Sequence, residues 1–475
     1  MPASATDQAA PPDESSYRLP KTVLPERYEL TLAPDLSAFT YTGEERVAVQ
    51  VSEPVREILL NAHEDLEIHE AALSNAAGDR LTGTVTRVPE EERARITLSG
   101  TAAPGAWTLE LKFNGILNDK LAGFYRSIYT DADGTQQVIA TTQMEAVDAR
   151  RAFPCWDEPE MKAVFSVTLV VDEGLMAVSN GQQISETPLG NGKKAVKFAD
   201  TIKMSTYLVC FVVGKLEATE PVDVDGTPLR IVFVPGKRHM ADFALEVGAF
   251  TLRFFTDYYG IPYPGDKLDM IALPDFAAGA MENLGAITYR ETALLADTAT
   301  ASHADLERVA DVIAHEIAHM WFGDLVTMKW WNGIWLNEAF ATFMEMLAVD
   351  AFKPEWQRWN TFSISRSSAM LTDGLRSTRP IEFTVRRPEE CESMFDILTY
   401  EKGAAVLRML EQYLGGKEFQ KGIALYLKSH EYGNAETTDL WDAIEEATGE
   451  PSRKIMDSWI FQGGHPVVSV AKTDD

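Results

Sequence analysis

Cysteine is scarce in this sequence. The 475 residues include three of them, Cys155, Cys210 and Cys391, an odd number at wide spacings. Neither a disulfide framework nor a cysteine-based zinc site fits that arrangement. Such a chain suits a reducing compartment, and we predict a cytoplasmic location.

Positive charge and long apolar runs are also in short supply. The chain has 43 lysines and arginines against 72 acidic residues, a formal net charge of -29. This balance argues against nucleic acid or an anionic membrane surface as a partner. The most apolar stretch, residues 207–213, has the length of a buried strand and not of a membrane span. Residues 1–16 lack the pattern of a secretory signal and predict a disordered leader.

Two regions of different periodicity follow the leader. Residues 17–218 alternate polar and apolar positions and predict a sheet domain, sandwich-like or saddle-like, with strands at 27–32, 46–51, 107–113, 165–171 and 207–213. Residues 219–463 are mainly helical in pattern, with a helix at 243–259, a strand pair at 268–273 and 285–289, and helices over most of 302–462. The fold class predicted is therefore a multidomain α and β protein.

A possible metal site lies in residues 301–323. Ser302 and Asp305 have capping-box spacing, and Gly323 predicts the end of the helix. Between them, His315 and His319 are four positions apart, so both imidazoles share one helix face and can bind one metal ion. Glu316 projects beside that metal, where a base for a water molecule is needed.

A second helix is predicted to supply a third ligand, Glu338, 18 intervening residues after His319. Two histidines and one glutamate leave the fourth position of a tetrahedral zinc ion open, which is typical of catalytic sites and not of structural ones. Cobalt and manganese are not excluded, although the ligand set favours zinc. The nearby Trp330, Trp331 and Trp335 are predicted to be core residues.

The motifs around these residues resemble those of the gluzincin zinc aminopeptidases. They include the runs His319–Met328 and Trp335–Glu338, with Pro25-Glu26-Arg27-Tyr28 near the start, and the resemblance covers nearly the whole chain. It implies a thermolysin-like, mainly helical catalytic domain after the sheet domain, and one zinc ion. The activity implied is the removal of single residues from peptides with a free N-terminus.

The resemblance also implies a substrate-binding set. The string Gly279-Ala280-Met281-Glu282-Asn283 is similar to the exopeptidase signature of the family, in which the glutamate, here Glu282, binds the α-ammonium. Glu145 would be a second ammonium ligand and Gln143 would line the pocket for the first side chain, while Arg150 would be structural. Tyr400 would donate a hydrogen bond to the oxyanion, and Glu316 would be the catalytic base.

Three departures from the family pattern are visible. Ala339 stands where many relatives have glycine, and Arg379-Pro380 where many have His-Pro, which leaves substrate preference near Arg379 open. Residues 464–475 resemble the start of a β-sandwich that family members continue into a helical roof domain. We expect that a form without the roof would have an open cleft and a lower affinity for substrate.

Other activities remain compatible with the sequence. The same zinc site could open an epoxide or cleave internal peptide bonds, and the chain could be an inactive zinc-binding scaffold. The string ending in Asn283 favours peptides over epoxides, and the presence of Glu316 with all three ligands favours an enzyme. The sequence does not determine the preferred first residue or the oligomeric state.

Overall fold

The computed structural model describes residues 17–472, apart from the side chains of Pro388 and Glu389. The predicted leader, residues 1–16, therefore lies outside the described residues. None of the described helices is both long and apolar enough to cross a lipid bilayer.

The first part of the chain is built from strands. They are β1 (Val23–Asp35), β2 (Thr40–Val51), β3 (Val55–Asn61), β4 (Glu67–Ser74), β5 (Arg80–Val88), β6 (Arg93–Ala102), β7 (Gly105–Ile116), β8 (Gly123–Thr130), β9 (Gln136–Gln143), β10 (Val164–Asp172), β11 (Met176–Ser179), β12 (Gln183–Gly190), β13 (Lys193–Phe198) and β14 (Phe211–Gly214). Ten form one sheet in the order β12-β13-β10-β1-β2-β7-β4-β5-β6-β3, and four form a second in the order β11-β14-β9-β8.

Alternation of apolar residues explains the register of the large sheet. In β1 the side chains of Tyr28, Leu30 and Leu32 are buried while their neighbours face solvent. Because strands β1 and β2 pair antiparallel along their whole length, their buried side chains line one face of the sheet, which is apolar along these two strands except at Glu45. The Tyr28 ring stacks on Phe165 of the parallel neighbour β10, with the ring centroids 4.8 Å apart.

The strand predicted at residues 207–213 is wrong over its first half. Residues Thr206–Leu208 form a 3-10 turn, and the strand begins at Phe211. The side chain of Asn180 donates to the carbonyl of Leu208 at 2.8 Å and accepts from the N–H of Cys210 at 2.9 Å. A side-chain amide thus occupies backbone groups that a neighbouring strand would otherwise pair.

Within the described residues, the second part of the chain combines a smaller, six-stranded sheet, a two-stranded sheet of its last two strands, and eight α-helices. Its strands are β15 (Glu217–Ala218), β16 (Val222–Val224), β17 (Thr227–Phe233), β18 (Leu268–Leu273), β19 (Ala280–Met281), β20 (Ala286–Arg290), β21 (Thr327–Met328) and β22 (Asn434–Ala435). The helices are α1 (Asp242–Tyr259), α2 (His303–His319), α3 (Trp335–Phe352), α4 (Arg358–Asp373), α5 (Gly403–Leu414), α6 (Gly416–His430), α7 (Thr437–Thr448) and α8 (Ser452–Ile460).

The smaller sheet has the order β15-β17-β18-β20-β19, with β16 also paired to β17. The predicted strand pair corresponds to β18 and β20, which run parallel, and β19 lies at the edge of the sheet. The sheet-rich part of the chain precedes the mainly helical part, which agrees with the predicted fold class. The predicted boundary between residues 218 and 219 stays a prediction. Strand β15, which ends at Ala218, already pairs with β17 of the smaller sheet.

The predicted tryptophan cluster is buried except at one position. Trp331 and Trp335 have 1% and 0% of their surface exposed. Trp330 is half-buried, and the guanidinium of Arg18 lies over its ring at 4.1 Å from the centroid. This contact attaches the beginning of the described chain to the helical part.

Candidate metal and peptide-binding site

Helix α2 begins as the sequence predicts and ends earlier. The hydroxyl of Ser302 accepts from the N–H of Asp305 at 3.2 Å, and the carboxylate of Asp305 accepts from the N–H of Ser302 at 3.1 Å. The helix ends at His319, so the predicted stop at Gly323 is wrong. Gly323 has φ of 132° and packs against α3, where a Cβ would lie 3.2 Å from Nδ2 of Asn337. Its lack of a side chain therefore serves a close approach and not a helix cap.

The three predicted ligands meet between α2 and α3. The Nε2 atoms of His315 and His319 lie 3.2 Å and 3.4 Å from Oε2 of Glu338. One donor atom from each residue falls within 4.8 Å of the others. His319 and Glu338 are buried, and the His315 side chain is 12% exposed.

The second nitrogen of each imidazole has its own partner. Nδ1 of His315 lies 2.8 Å from Oε2 of Glu345, and Nδ1 of His319 lies 2.9 Å from the carbonyl oxygen of Phe322. Both acceptors favour a proton on Nδ1, which leaves the Nε2 lone pairs directed at the centre of the cluster. Two imidazole nitrogens and a carboxylate oxygen, oriented in this way, fit a zinc ion.

Neighbouring charged groups set the protonation states of the side chains in this cluster. Burial opposes the charged imidazolium, but hydrogen bonds to Glu338 and Glu345 hold the pKa of His315 well above its usual value. Binding of zinc at Nε2 would therefore displace a proton from His315. Burial would raise the pKa of Glu338, yet His319 and His315 lower it to about 2. Glu338 is consequently a carboxylate at neutral pH, the form that a metal ligand requires.

Helix α3 approaches α5 closely beside Glu338. Ala339 is fully buried, and a Cβ added to Gly403 would lie 2.5 Å from the Cβ of Ala339. Alanine is accommodated after Glu338 because the facing residue is glycine. This departure from the family pattern therefore leaves Glu338 in place.

Glu316 lies on the same helix as the two histidines, beside the trio. Its carboxylate is within 4.8 Å of a nitrogen of His319 and an oxygen of Glu282, and its Oε2 has no partner among the described residues. Burial raises the pKa of Glu316 to about 8, against the opposing effect of the two histidines. A carboxylate with a raised pKa and a free oxygen can accept and return a proton.

Two further carboxylates border the same space. Glu145 follows β9 and Glu282 follows β19, and oxygen atoms of both lie within 4.8 Å of an oxygen of Glu338. Burial raises the pKa of each. The Oε1 atoms of Glu145, Glu282 and Gln143 are all buried without a partner among the described residues.

The neighbours of Glu282 hold its backbone in place. Nδ2 of Asn283 donates to the hydroxyl of Thr288 at 3.1 Å, and the N–H of Arg290 donates to the carbonyl of Gly279 at 2.9 Å. Met281 is buried, and its sulfur atom accepts a hydrogen bond from Nε2 of Gln143 at 3.3 Å. Neither Met281 nor Asn283 lines the cavity of the site, which is described next. Their side chains contact neighbouring residues instead of the space that a substrate would occupy.

A cavity of about 550 Å³ is lined by most of the residues that the sequence predicts for the site. They are Gln143, Glu145, Gly279, Ala280, Glu282, His315, Glu316, His319, Glu338 and Tyr400. Neither Arg150 nor Arg379 lines it. Nε of Arg150 is paired with Oδ2 of Asp157 at 2.8 Å in the interior, in agreement with the structural role predicted for it.

Tyr400 lies on a single π-helical turn, Leu398–Lys402, that leads into α5. Its ring stacks near His315, with centroids 6.0 Å apart and planes 17° from parallel. Burial and the charges of Glu338, Glu145 and Glu282 raise the pKa of Tyr400 well above its usual value. The phenol therefore stays protonated and can donate a hydrogen bond into the cavity.

Sequence reasoning missed Glu345. This residue lies seven positions after Glu338, so two helical turns bring it to the same face of α3. That spacing was a usable signal, since a metal-bound histidine almost always donates its other nitrogen to an oxygen acceptor.

Comparison with known proteins agrees with this arrangement. Residues 24–208 match the Peptidase M1 N-terminal domain, and residues 243–459 match the Peptidase family M1 domain. The order of the two matches confirms the predicted fold class. The fold and the order of the two matches thus place the chain in peptidase family M1.

Several curated relatives are similar over nearly the whole chain. Aminopeptidase M1-A of Oryza sativa subsp. japonica is 46% identical over 475 residues, which cover 99% of this chain and 54% of that protein. Aminopeptidase M1 of Arabidopsis thaliana is 46% identical over 462 residues, 96% of this chain and 52% of the relative. Puromycin-sensitive aminopeptidase of Caenorhabditis elegans is 43% identical over 461 residues, 96% and 48%. The chain spans about half the length of the curated relatives it matches.

Proposed function

We propose that this protein is a zinc-dependent aminopeptidase, which hydrolyses the first peptide bond of peptides that have a free N-terminus. The observation that carries the proposal is the position of two buried carboxylates, Glu145 and Glu282, beside the trio of His315, His319 and Glu338. The trio would hold one zinc ion, which would supply a Lewis acid for the scissile carbonyl and lower the pKa of water.

The α-ammonium of a peptide fits the acidic end of the cavity. An ammonium has three N–H donors, and Gln143, Glu145 and Glu282 each present a buried oxygen without a partner among the described residues. Its positive charge also offsets the repulsion between the two carboxylates. An internal amide has one N–H and no charge, so it satisfies neither need.

Gly279 and Ala280 are proposed to run beside the substrate backbone. They line the cavity at the edge strand β19, where the small side chains permit a close approach. An extended peptide can pair with such an edge by adding a strand. Met281 and Asn283 would then act indirectly, by fixing Gln143 and the turn after Glu282.

Glu316 and Tyr400 are proposed to carry the proton transfer and the charge of the transition state. Glu316 would take a proton from the attacking water, whose oxygen bonds to the carbonyl carbon. When the C–N bond breaks, the same carboxyl would return that proton to the leaving amine nitrogen. The phenol of Tyr400 would donate to the carbonyl oxygen as it gains negative charge.

A paired assay tests the proposal. The zinc-loaded protein is given p-nitroanilides of alanine and leucine, and the same compounds with an acetylated amine. We expect hydrolysis of the free amines only, with loss of activity on chelation and in the variant Glu316→Gln. Glu355→Gln, at an exposed position outside the cavity, is the matched control and should behave like the unaltered chain.

The other outcomes separate the alternatives. Equal hydrolysis of acetylated compounds would refute the ammonium site and indicate an endopeptidase. Hydrolysis of an epoxide but of no amide would indicate the epoxide hydrolase activity considered from the sequence. Stoichiometric zinc without turnover of any of these compounds would indicate a zinc-binding scaffold.

The preferred partners are peptides with a free N-terminus, and neither nucleic acid nor a membrane is proposed. A cytoplasmic location remains a prediction from the sequence, to be checked by fractionation of cells that express the protein.

A further inference from the structure

The segment that links α4 to the π-helical turn of Tyr400 makes an unusual set of contacts. Two consecutive residues, Thr378 and Arg379, bind acids at opposite ends of that turn. Arg379 is the residue whose identity departs from the family pattern. Since Arg379 does not line the cavity, any effect on catalysis has to pass through another residue.

Arg379 acts at the beginning of the turn. Its Nη2 donates to Oδ1 of Asp396 at 2.7 Å and to the hydroxyl of Thr399 at 2.9 Å. The same Oδ1 of Asp396 accepts from the backbone N–H groups of Leu398 at 2.8 Å and Thr399 at 3.2 Å. Asp396 therefore caps the turn, and Arg379 holds the cap.

The guanidinium itself has little freedom. Nη1 of Arg379 donates to the carbonyl oxygens of Pro380 at 2.8 Å and Ile381 at 3.2 Å, and the group lies 4.8 Å from the centroid of the Phe383 ring. A planar fork with several fixed acceptors defines a geometry that a lysine in its place would not reproduce.

Thr378 acts at the end of the turn. Its hydroxyl donates to Oδ1 of Asp373 at 2.7 Å, and Oδ2 of Asp373 is 2.8 Å from Nζ of Lys402, the last residue of the turn. The side chains of Asp373 and Lys402 are 2% and 8% exposed, so solvent screens this ion pair little. Tyr400 lies between the two anchored ends.

We propose that Thr378 and Arg379 are positioning residues for the phenol of Tyr400. A π-helical turn is a rare conformation that is frequently found at functional sites. The inference rests on the proposed role of Tyr400, because positioning affects turnover only if the phenol contacts the reacting group.

A spectroscopic measurement tests positioning without reference to activity. 3-Fluorotyrosine is incorporated in place of Tyr400, and its ¹⁹F resonance is recorded in the zinc-loaded protein. We expect Arg379→Gln and Thr378→Val each to shift the resonance or split it. Arg453→Gln is the matched control, since Arg453 also binds an acid and a backbone carbonyl, Asp442 and Thr438, but far along the chain from the turn. If Arg379→Gln does not fold, Arg379→Lys keeps the charge and loses the fork.

Enzyme kinetics provide a second test of the positioning roles of Thr378 and Arg379. Arg379→Gln should lower kcat for alanine p-nitroanilide by about 10- to 100-fold with little change in KM, as expected for a displaced transition-state donor. In a Tyr400→Phe background the same substitution should have almost no further effect on kcat. A merely structural role would instead give losses that multiply.

The outcomes distinguish the inference from the proposed function. An unchanged ¹⁹F resonance in both variants overturns the inference, whatever the kinetics. A changed resonance together with full activity of Tyr400→Phe supports the positioning and refutes the proposed role of the phenol. A changed resonance with non-additive losses supports both.

Discussion

Replacement of Glu345 by glutamine tests how the site would orient its metal ligand. Oε2 of Glu345 lies 2.8 Å from Nδ1 of His315, and the two side chains are 15% and 12% exposed. The substitution Glu345→Gln keeps an oxygen acceptor of the same size but removes the negative charge. It therefore isolates the electrostatic share of the contact.

The expected effect follows from the kind of hydrogen bond. A bond to an ionised acceptor is roughly twice as strong as a neutral one. Loss of such a partner behind a metal-bound histidine typically costs about 10- to 100-fold in metal affinity. That range corresponds to about 1.4 to 2.7 kcal/mol of binding free energy. Because glutamine can still accept the proton of Nδ1, we expect the effect to fall in the lower half.

Zinc affinity is measured by competition with a chelating indicator, which requires no turnover. Glu355→Gln removes one negative charge from an exposed position and controls for the general effect of charge on a chain of net charge -29. Equal zinc affinity for Glu345→Gln and the unaltered chain would refute the reasoning. So would an equal loss in the control, because the effect would then come from overall charge.

Three further predictions concern the base, the amine site and the helix contact. Glu316→Gln should lower kcat by about 10²- to 10⁴-fold while zinc analysis still finds a full complement of metal. Burial raises the pKa of Glu282 above the ordinary 4.5, and only the ionised form attracts an ammonium. The value of kcat/KM should therefore fall as pH drops through that raised pKa. Glu282→Gln should change the shape of this acid limb without abolishing it, because Glu145 and Glu316, whose pKa values are also raised, still ionise in the variant. Gly403→Ala should destabilise the fold by about 1 to 3 kcal/mol in chemical denaturation, and adding Ala339→Gly should restore most of the loss.

Each of these has a result that would contradict it. Near-normal kcat in Glu316→Gln would assign the base elsewhere. An acid limb of unchanged shape in the Glu282 variant would show that the ionisation of Glu282 does not contribute to it. Failure of Ala339→Gly to rescue Gly403→Ala would show that the two residues are not in the tight contact described.

Local sequence patterns were sufficient for much of the fold. Alternation gives strands such as β1 and β7, because one buried face requires a period of two. The capping box gives the start of α2, and helical spacing gives the meeting of His315 with His319. In each case the signal and the structure it specifies lie within a few residues of one another.

The features that were predicted wrongly depend on contacts between residues that are distant in the sequence. Helix α2 ends at His319 because the chain turns there to pack Gly323 against Asn337 on α3. The strand predicted from residue 207 is shortened because Asn180 occupies its backbone groups. Partners this far apart in the chain leave no periodic trace in a single sequence.

Glu145 and Glu282 come from the two different parts of the chain, one after a strand of the four-stranded sheet and the other after an edge strand of the smaller sheet. Glu316 and the trio proposed to bind zinc, in contrast, lie on two adjacent helices. Under the proposed function, the helical part by itself would hold the zinc ligands, Glu316 and Glu282, but would lack Glu145. Packing of the two parts against each other is thus what would complete the pair of carboxylates proposed to bind the α-ammonium.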